Sequence, residues 1–457
     1  MTRTAAAVSI GALVVGGIIA IGLSSGAQAA TPVANAVNVV VPYGQVTGLP
    51  DTVVIANNGS PESHPVSWPA LDQAIFTQPG KHTVTGRTAD TGQNVTGIVN
   101  VQPQGSPVKV AAVGDSITFG AGTSNFNTKS FPAQVQAMVG SGYQVTDYGV
   151  SGTTLMTKGG APYINTGQYT QSHSANPDVV LLQLGTNDAL PGNFLQIATF
   201  AADYQAMVQS YLSLPSHPVV YAELPPTIQS SNMGGYNDPN LRDIIGRTLG
   251  ALSDPAFAGV SIIDNHTLTR DAAAFYPDTV HPSDAGAMQL AVNVRLSLTG
   301  DAHQPHAGKT QVTALTDQRG TYLDDSNDQS GLMLRGIAPG GWFCFANVTL
   351  AGDSPRVALR VRAPYDSTTL TVRADSPTGP TVGSAALSAS GNWATAQVAV
   401  DGVSGPRDLC FSFDRPNSAN LELAWVQWVN FGLGKPPAYA AGWQTIRPSS
   451  YDIAQLS

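Results

Sequence analysis

Residues able to carry out acyl transfer stand at four places in this chain. Ser116 follows Gly114-Asp115 at the end of an apolar run over residues 108–113. A serine hydroxyl is a weak nucleophile until a base takes its proton, and the base is usually a histidine held by a carboxylate. Asp278-Thr279-Val280-His281-Pro282 supplies both in one loop. The D-x-x-H spacing lets the carboxylate turn back onto the imidazole, so that Asp278 orients His281 and stabilises its cation. Acyl transfer also needs donors for the oxyanion. The Gly149 N–H, the Asn187 side-chain amide and Ser116's own N–H are the candidates. Each has a plainer reading alone. Gly, Asp and Ser are turn formers, and the Asp278 loop also reads as a surface loop in which Ser283 or Asp284 caps the next helix. Their order along the chain favours one site.

The elements that position these residues alternate in type. Strands read at residues 108–113, 144–148, 179–184, 219–223 and 260–264, and helices at 131–139, 199–214, 240–252 and 284–298. In the third helix Leu241, Ile244, Ile245 and Leu249 share a face. Strand–helix alternation is the signature of a parallel sheet with crossover helices, so the expected fold of residues 107–300 is a three-layer, flavodoxin-like α/β sandwich. Open sheets of this kind carry their chemistry at the carboxyl ends of strands. Ser116, Gly149 and Asn187 fall there.

The flanks are β-rich. Residues 33–103 contain short strand-like runs split by turn signals, as in a small sandwich. Residues 301–312 read as a linker, with His303 and His306 as solvated side chains rather than metal ligands. Residues 313–432 return to period-2 alternation: Val357, Leu359 and Val361 share one face of a half-buried strand. Residues 433–457 read as an irregular tail.

The chain has 457 residues, a net charge of −9, 42% apolar and 11% charged residues. This excludes a charge-rich disordered protein and leaves no basic patch for nucleic acid or an anionic membrane. Arg3, the apolar run to Leu23 and Ala27-Gln28-Ala29 read as a signal peptide over residues 1–30, against the alternative of a membrane anchor. The expected mature protein is secreted and soluble. Its two cysteines, Cys344 and Cys410, lie in aromatic strand-like runs; a disulfide between strands of one module is expected, with two buried thiols as the alternative.

Gly114-Asp115-Ser116-Ile117-Thr118, Gly149, Gly185-Thr186-Asn187-Asp188 and Asp278-Thr279-Val280-His281 resemble the four blocks of the SGNH (GDSL-type) hydrolases, over residues 107–299. The resemblance implies Ser116 as nucleophile, His281 as general base and acid, Asp278 as its orienting carboxylate, and Gly149 and Asn187 as oxyanion donors. Asp147 stands where the family often has Asn, and Asp115 reads as structural. Residues 33–103 resemble a bacterial Ig-like domain, which implies a spacer or adhesion module. Trp342-Phe343-Cys344-Phe345, Gly391-Asn392-Trp393 and Trp425-Val426-Gln427-Trp428 resemble a family-6 carbohydrate-binding module, a jelly-roll β-sandwich. That resemblance implies Phe345 and Trp393 as sugar platforms. It sets Glu422-Leu423-Ala424-Trp425 where the family has Asn-x-Asp-Trp. It allows a structural calcium, but the sequence assigns no ligands for one. Trp342, Trp425 and Trp428 read as core.

The expected function is a secreted serine esterase that works through an acyl-enzyme and deacylates a polysaccharide of the acetylxylan type. It needs no metal or organic cofactor, and no protein partner is implied. The alternatives are a lipase or general short-chain esterase and, in another class, a non-catalytic carbohydrate-binding adhesion protein.

Overall fold

The computed structural model describes residues 34–230, 234–300, 306–337, 339–350, 355–414 and 422–431. The expected leader at 1–30, the tail at 433–457 and linker residues 301–305 lie outside the described residues. The described residues all fall in one compact unit. Among the described residues no helix is long and apolar enough to cross a membrane.

The first strands are β1 (Val37–Val41), β2 (Thr52–Asn57), β3 (Ser60–Ser67), β4 (Gly80–Thr88) and β5 (Asn94–Val101). They are ordered β1-β5-β4-β3-β2, with β1 parallel to β5. All five residues of β1 are buried. Val39 faces the core of this module and Val40 the core of the next. Buried hydrogen bonds fix the junction: Tyr221 donates its hydroxyl to the Asn38 carbonyl and Tyr143 to that of Val40, each at 2.9 Å. The expected spacer is therefore docked along a whole strand rather than strung on a linker.

The central sheet holds β6 (Val108–Gly114), β7 (Tyr143–Asp147), β8 (Val179–Gln183), β9 (Val219–Leu224) and β10 (Ser261–Asp264), all parallel, in the order β10-β9-β8-β6-β7. This is the doubly wound order with a switch point between the first and third of its strands. Its helices are α1 (Ser116–Phe119), α2 (Phe126–Lys129), α3 (Phe131–Val139), α4 (Gly167–Ser174), α5 (Pro191–Phe194), α6 (Phe200–Leu212), α7 (Asp238–Leu252), α8 (Asn265–Leu268) and α9 (Asp284–Thr299). Phe131 and Val135 of α3 and Leu290 and Val294 of α9 cover one face of the sheet. Tyr204 and Val208 of α6 and Leu241 and Ile244 of α7 cover the other. Side-chain caps from Ser130, Asn237 and Ser283 start α3, α7 and α9.

The last module is a two-sheet sandwich built from β11 (Gly308–Gln311), β12 (Asp317–Arg319), β13 (Tyr322–Asp325), β14 (Leu332–Ile337), β15 (Trp342–Val348), β16 (Arg356–Arg362), β17 (Thr368–Ala374), β18 (Thr381–Leu387), β19 (Ala394–Ala399), β20 (Arg407–Asp414) and β21 (Ala424–Phe431). One sheet runs β13-β14-β21-β16-β19 with β11 on β21; the other runs β12-β15-β20-β17-β18. Cys344 and Cys410 face each other across β15 and β20 and form a disulfide. His306 departs from the solvated reading: it is buried, edge-on to Phe345.

The sandwich packs directly on the α/β unit. Met288 and Val292 of α9 belong to the sandwich core. Burying each contributes about 1.5–3 kcal/mol. The Lys129 ammonium, itself buried, donates to the Leu323 carbonyl at 2.7 Å and to Asp324 Oδ1 at 2.8 Å on β13. This contact fixes one edge of a cleft between α2 and the β13–β14 hairpin.

Candidate active site

β6 ends at Gly114, and α1 begins with Ser116. Asp115 caps α1: its Oδ1 accepts from the Ile117 N–H at 2.9 Å. Burial pushes the Asp115 carboxyl up to about 6, against the bond from the Ile117 N–H. Its structural reading therefore has a concrete form, since it fixes the turn that carries the serine.

The loop before α9 brings the base to that serine. Ser116 Oγ lies 2.8 Å from His281 Nε2, and His281 Nδ1 lies 2.6 Å from Asp278 Oδ2. Asp278 Oδ1 also accepts from the backbone N–H groups of Val280, at 3.0 Å, and His281, at 2.7 Å. Thr279 makes this wrap possible by adopting φ +73°, a left-handed conformation that costs a β-branched residue strain. Burial tends to raise the Asp278 carboxyl, but the hydrogen bonds from His281 and Val280 outweigh it and hold the group below its usual range. On the other side, a Cβ on Gly122 would stand 2.8 Å from His281 Cβ, so this glycine lets the turn after α1 close on the histidine loop.

The oxyanion candidates are arranged differently from the sequence reading. The Gly149 N–H donates to Asp147 Oδ1 at 2.7 Å and is committed within its own turn. Its lack of a side chain serves packing, because an added Cβ would lie 2.3 Å from the Phe119 nitrogen. Asn187 is held at both ends of its amide: Oδ1 accepts the Tyr236 hydroxyl at 2.5 Å, and Nδ2 donates to the Thr153 carbonyl at 2.9 Å. This sets the Nδ2 position and leaves its second N–H. Asp188, beside Asn187, accepts from the Leu155 and Met156 N–H groups, each at 2.9 Å, and so ties the β7 loop to the β8 loop. In that β7 loop Gly152 is exposed, at φ +81°, and its N–H, like that of Ser116, has no acceptor among the described residues. Sequence reasoning missed Tyr236, which lies in an irregular stretch, and Gly152, whose only signal was its place next to Thr153.

The three sugar-binding candidates do not come together. Phe345 is fully buried in the sandwich core, edge-on to Phe343 and Phe411, and offers no face to a sugar. The aromatic alternation of β15 is that of a core strand, which corrects its reading as a platform. Trp393 is half-buried, with its indole N–H donating to Asn327 Oδ1 at 2.8 Å. Its ring lies 6.4 Å from that of Trp425. Glu422 pairs with Arg335, Oε2 to Nη2 at 3.0 Å, and accepts the Trp425 indole N–H at 3.3 Å. Trp393 and Glu422 thus adjoin one Trp425–Arg335 cluster, in which the Arg335 guanidinium carbon lies over the Trp425 ring, 4.7 Å from its centroid.

Comparison with known proteins separates the same two units. Residues 112–288 match the GDSL-like Lipase/Acylhydrolase family, and residues 312–432 match the Carbohydrate binding module (family 6). An acetylxylan esterase from Xylanibacter ruminicola is 30% identical over 208 residues, covering 41% of this chain and 42% of its own length. The chain thus spans less than half the length of that relative. Among solved structures, a family 6 carbohydrate-binding module from Clostridium cellulolyticum in complex with xylose is 20% identical, covering 28% of this chain and 98% of its own, with a TM-score of 0.26. A β-1,3-glucan-binding module of that family from Bacillus halodurans is 22% identical, covering 28% and 97%, with a TM-score of 0.26.

Proposed function

We propose that this chain is an exported ester hydrolase that removes acyl groups, acetyl foremost, from a polysaccharide. The observation that carries the reading is the continuous relay from Ser116 Oγ through His281 to Asp278, with hydrogen bonds of 2.8 and 2.6 Å. The matches to an acylhydrolase family and a carbohydrate-binding family, and the acetylxylan esterase relative, support both the chemistry and the polymer. The disulfide and the leader-like first 30 residues support export. In this reading residues 107–300 are the hydrolase, 313–432 the carbohydrate-binding sandwich, and 33–103 an Ig-like module docked on the hydrolase.

Ser116 Oγ attacks the acyl carbon while His281 Nε2 takes its proton, and Asp278 balances the imidazolium. The oxyanion is met by the N–H groups of Ser116 and Gly152 and the second amide proton of Asn187, which Tyr236 and Thr153 hold in place. Collapse of the tetrahedral species transfers the proton from His281 to the sugar alkoxide. Water then attacks the acyl-enzyme with His281 as base, releasing the carboxylic acid and restoring Ser116.

The test is acetate release from acetylated xylan by the full chain and by Ser116→Ala. Release that disappears in the variant supports the proposal. Serine-dependent cleavage of p-nitrophenyl acetate with no release from the polymer would move the natural substrate to small esters. Polysaccharide binding without turnover of either ester would make the chain a binding protein.

A further inference from the structure

We propose that the cleft between α1–α2 and the β13–β14 hairpin is the subsite for the glycan chain that carries the scissile acyl group, and that it selects an uncharged chain. The inference rests on the polysaccharide-esterase reading and deepens it. The cleft has a volume of about 590 Å³ and reaches from Phe119 and Gly149 to Asp325 and Leu332. It is thus walled by the hydrolase on one side and by the sandwich on the other.

Three observations point to a neutral sugar chain. First, Phe119 and Phe126 form a stacked pair, with centroids 4.9 Å apart, and are 37% and 48% exposed. Exposed aromatic faces in a polar cleft suit the apolar faces of pyranose rings. Second, the side chains of Asn127, Gln168 and Asp325 line the same cleft with no protein partner among the described residues, and offer donors and acceptors to ring hydroxyls. A hydrocarbon acyl chain would desolvate them without return. Third, the charge in the cleft is negative. Asp147 is exposed and lines the cleft, as do Asp324 and Asp325. The Lys129 cation is already committed to Leu323 and Asp324. A uronate-bearing chain would meet unbalanced carboxylates; a neutral one would not.

Continuity with the serine gives the subsite its purpose. Phe119 ends the helix that Ser116 begins, and Gly149 lies against the Phe119 backbone so closely that no Cβ fits between them. The cleft therefore ends at the far end of the single-turn helix that Ser116 begins, which sets a chain stacked on Phe119 and Phe126 within about one helical turn of the nucleophile. The sandwich then acts as half of the substrate site.

The test compares kcat/KM on acetylated xylan with that on p-nitrophenyl acetate for the full chain, Phe126→Ala and Phe126→Tyr. The expected result is a polymer-to-small-ester ratio lowered about tenfold in Phe126→Ala, as for loss of one stacked ring face, and retained in Phe126→Tyr. A ratio unchanged in Phe126→Ala overturns the proposal. Acetylated polygalacturonate should be a poorer substrate than acetylated xylan, and Asp325→Lys should narrow that gap; equal rates on the two polymers refute the selection of a neutral chain. If the full chain releases no acetate from any polymer, the esterase reading of the substrate fails by itself. Calorimetric binding of xylohexaose to Ser116→Ala then decides the subsite: affinity lost on adding Phe126→Ala supports it, and affinity unchanged overturns it.

Discussion

Replacing Asp278 by Asn tests the relay without removing any of its atoms' positions. Asp278 Oδ1 accepts two backbone N–H groups, from Val280 at 3.0 Å and His281 at 2.7 Å. Those donors require an oxygen, so the Asn amide nitrogen must take the Oδ2 position, 2.6 Å from His281 Nδ1. An N–H aimed at Nδ1 is satisfied only if Nδ1 is unprotonated. The ring proton then moves to Nε2, which faces Ser116 Oγ at 2.8 Å and can no longer accept the serine proton. A triad with the wrong tautomer loses about 10⁴ in kcat. The fold should hardly respond: the Asp278 side chain is 38% exposed, and a partly solvated pair of this kind contributes about 1 kcal/mol or less. The assay is kcat on p-nitrophenyl acetate with Tm measured on the same preparation. A variant with unchanged Tm that keeps more than roughly a tenth of the activity would show that His281 does not depend on Asp278 for its tautomer.

Two further expectations concern the scaffold. Glu223 is buried, with Oε2 accepting from Asn265 Nδ2 at 2.9 Å, and burial pushes its carboxyl from 4.5 up to about 8. A folded-state value raised in this way contributes stability below about pH 4.5 that is lost as the pH rises to about 8, at about 1.4 kcal/mol per pH unit. Glu223→Gln should therefore flatten the fall in Tm between pH 5 and 8, and an equal fall in both proteins would refute a protonated Glu223. Gly149→Ala places a methyl 2.3 Å from the Phe119 nitrogen and 2.8 Å from its Cα. Because these are backbone atoms, the expected cost is at least about 1–3 kcal/mol, read as a lowered denaturation midpoint; a variant of unchanged stability would disprove the close packing.

Much of the central unit was legible locally. Helices expected at 131–139 and 284–298 occur at Phe131–Val139 and Asp284–Thr299 because serine caps and an apolar period of 3.6 both act within a few residues. The Asp278–His281 contact was legible for the same reason, since its partners are three residues apart. Strand–helix alternation led to the parallel sheet, and facing strands to the Cys344–Cys410 pair.

What the sequence determined by itself were these short-range features: element types, the residues at strand ends, and the carboxylate–imidazole turn. The tertiary structure alone decided how distant segments share space. It brought Tyr236 onto Asn187 across 49 positions and committed the Gly149 N–H to Asp147. It sank Phe345 into a core that the same aromatic pattern could have turned outward. It also set the β13–β14 hairpin against α2 to make the cleft lined by Phe119 and Phe126. Hydrogen-bond commitment and burial depend on which surfaces meet, and a single chain's local pattern holds no record of that.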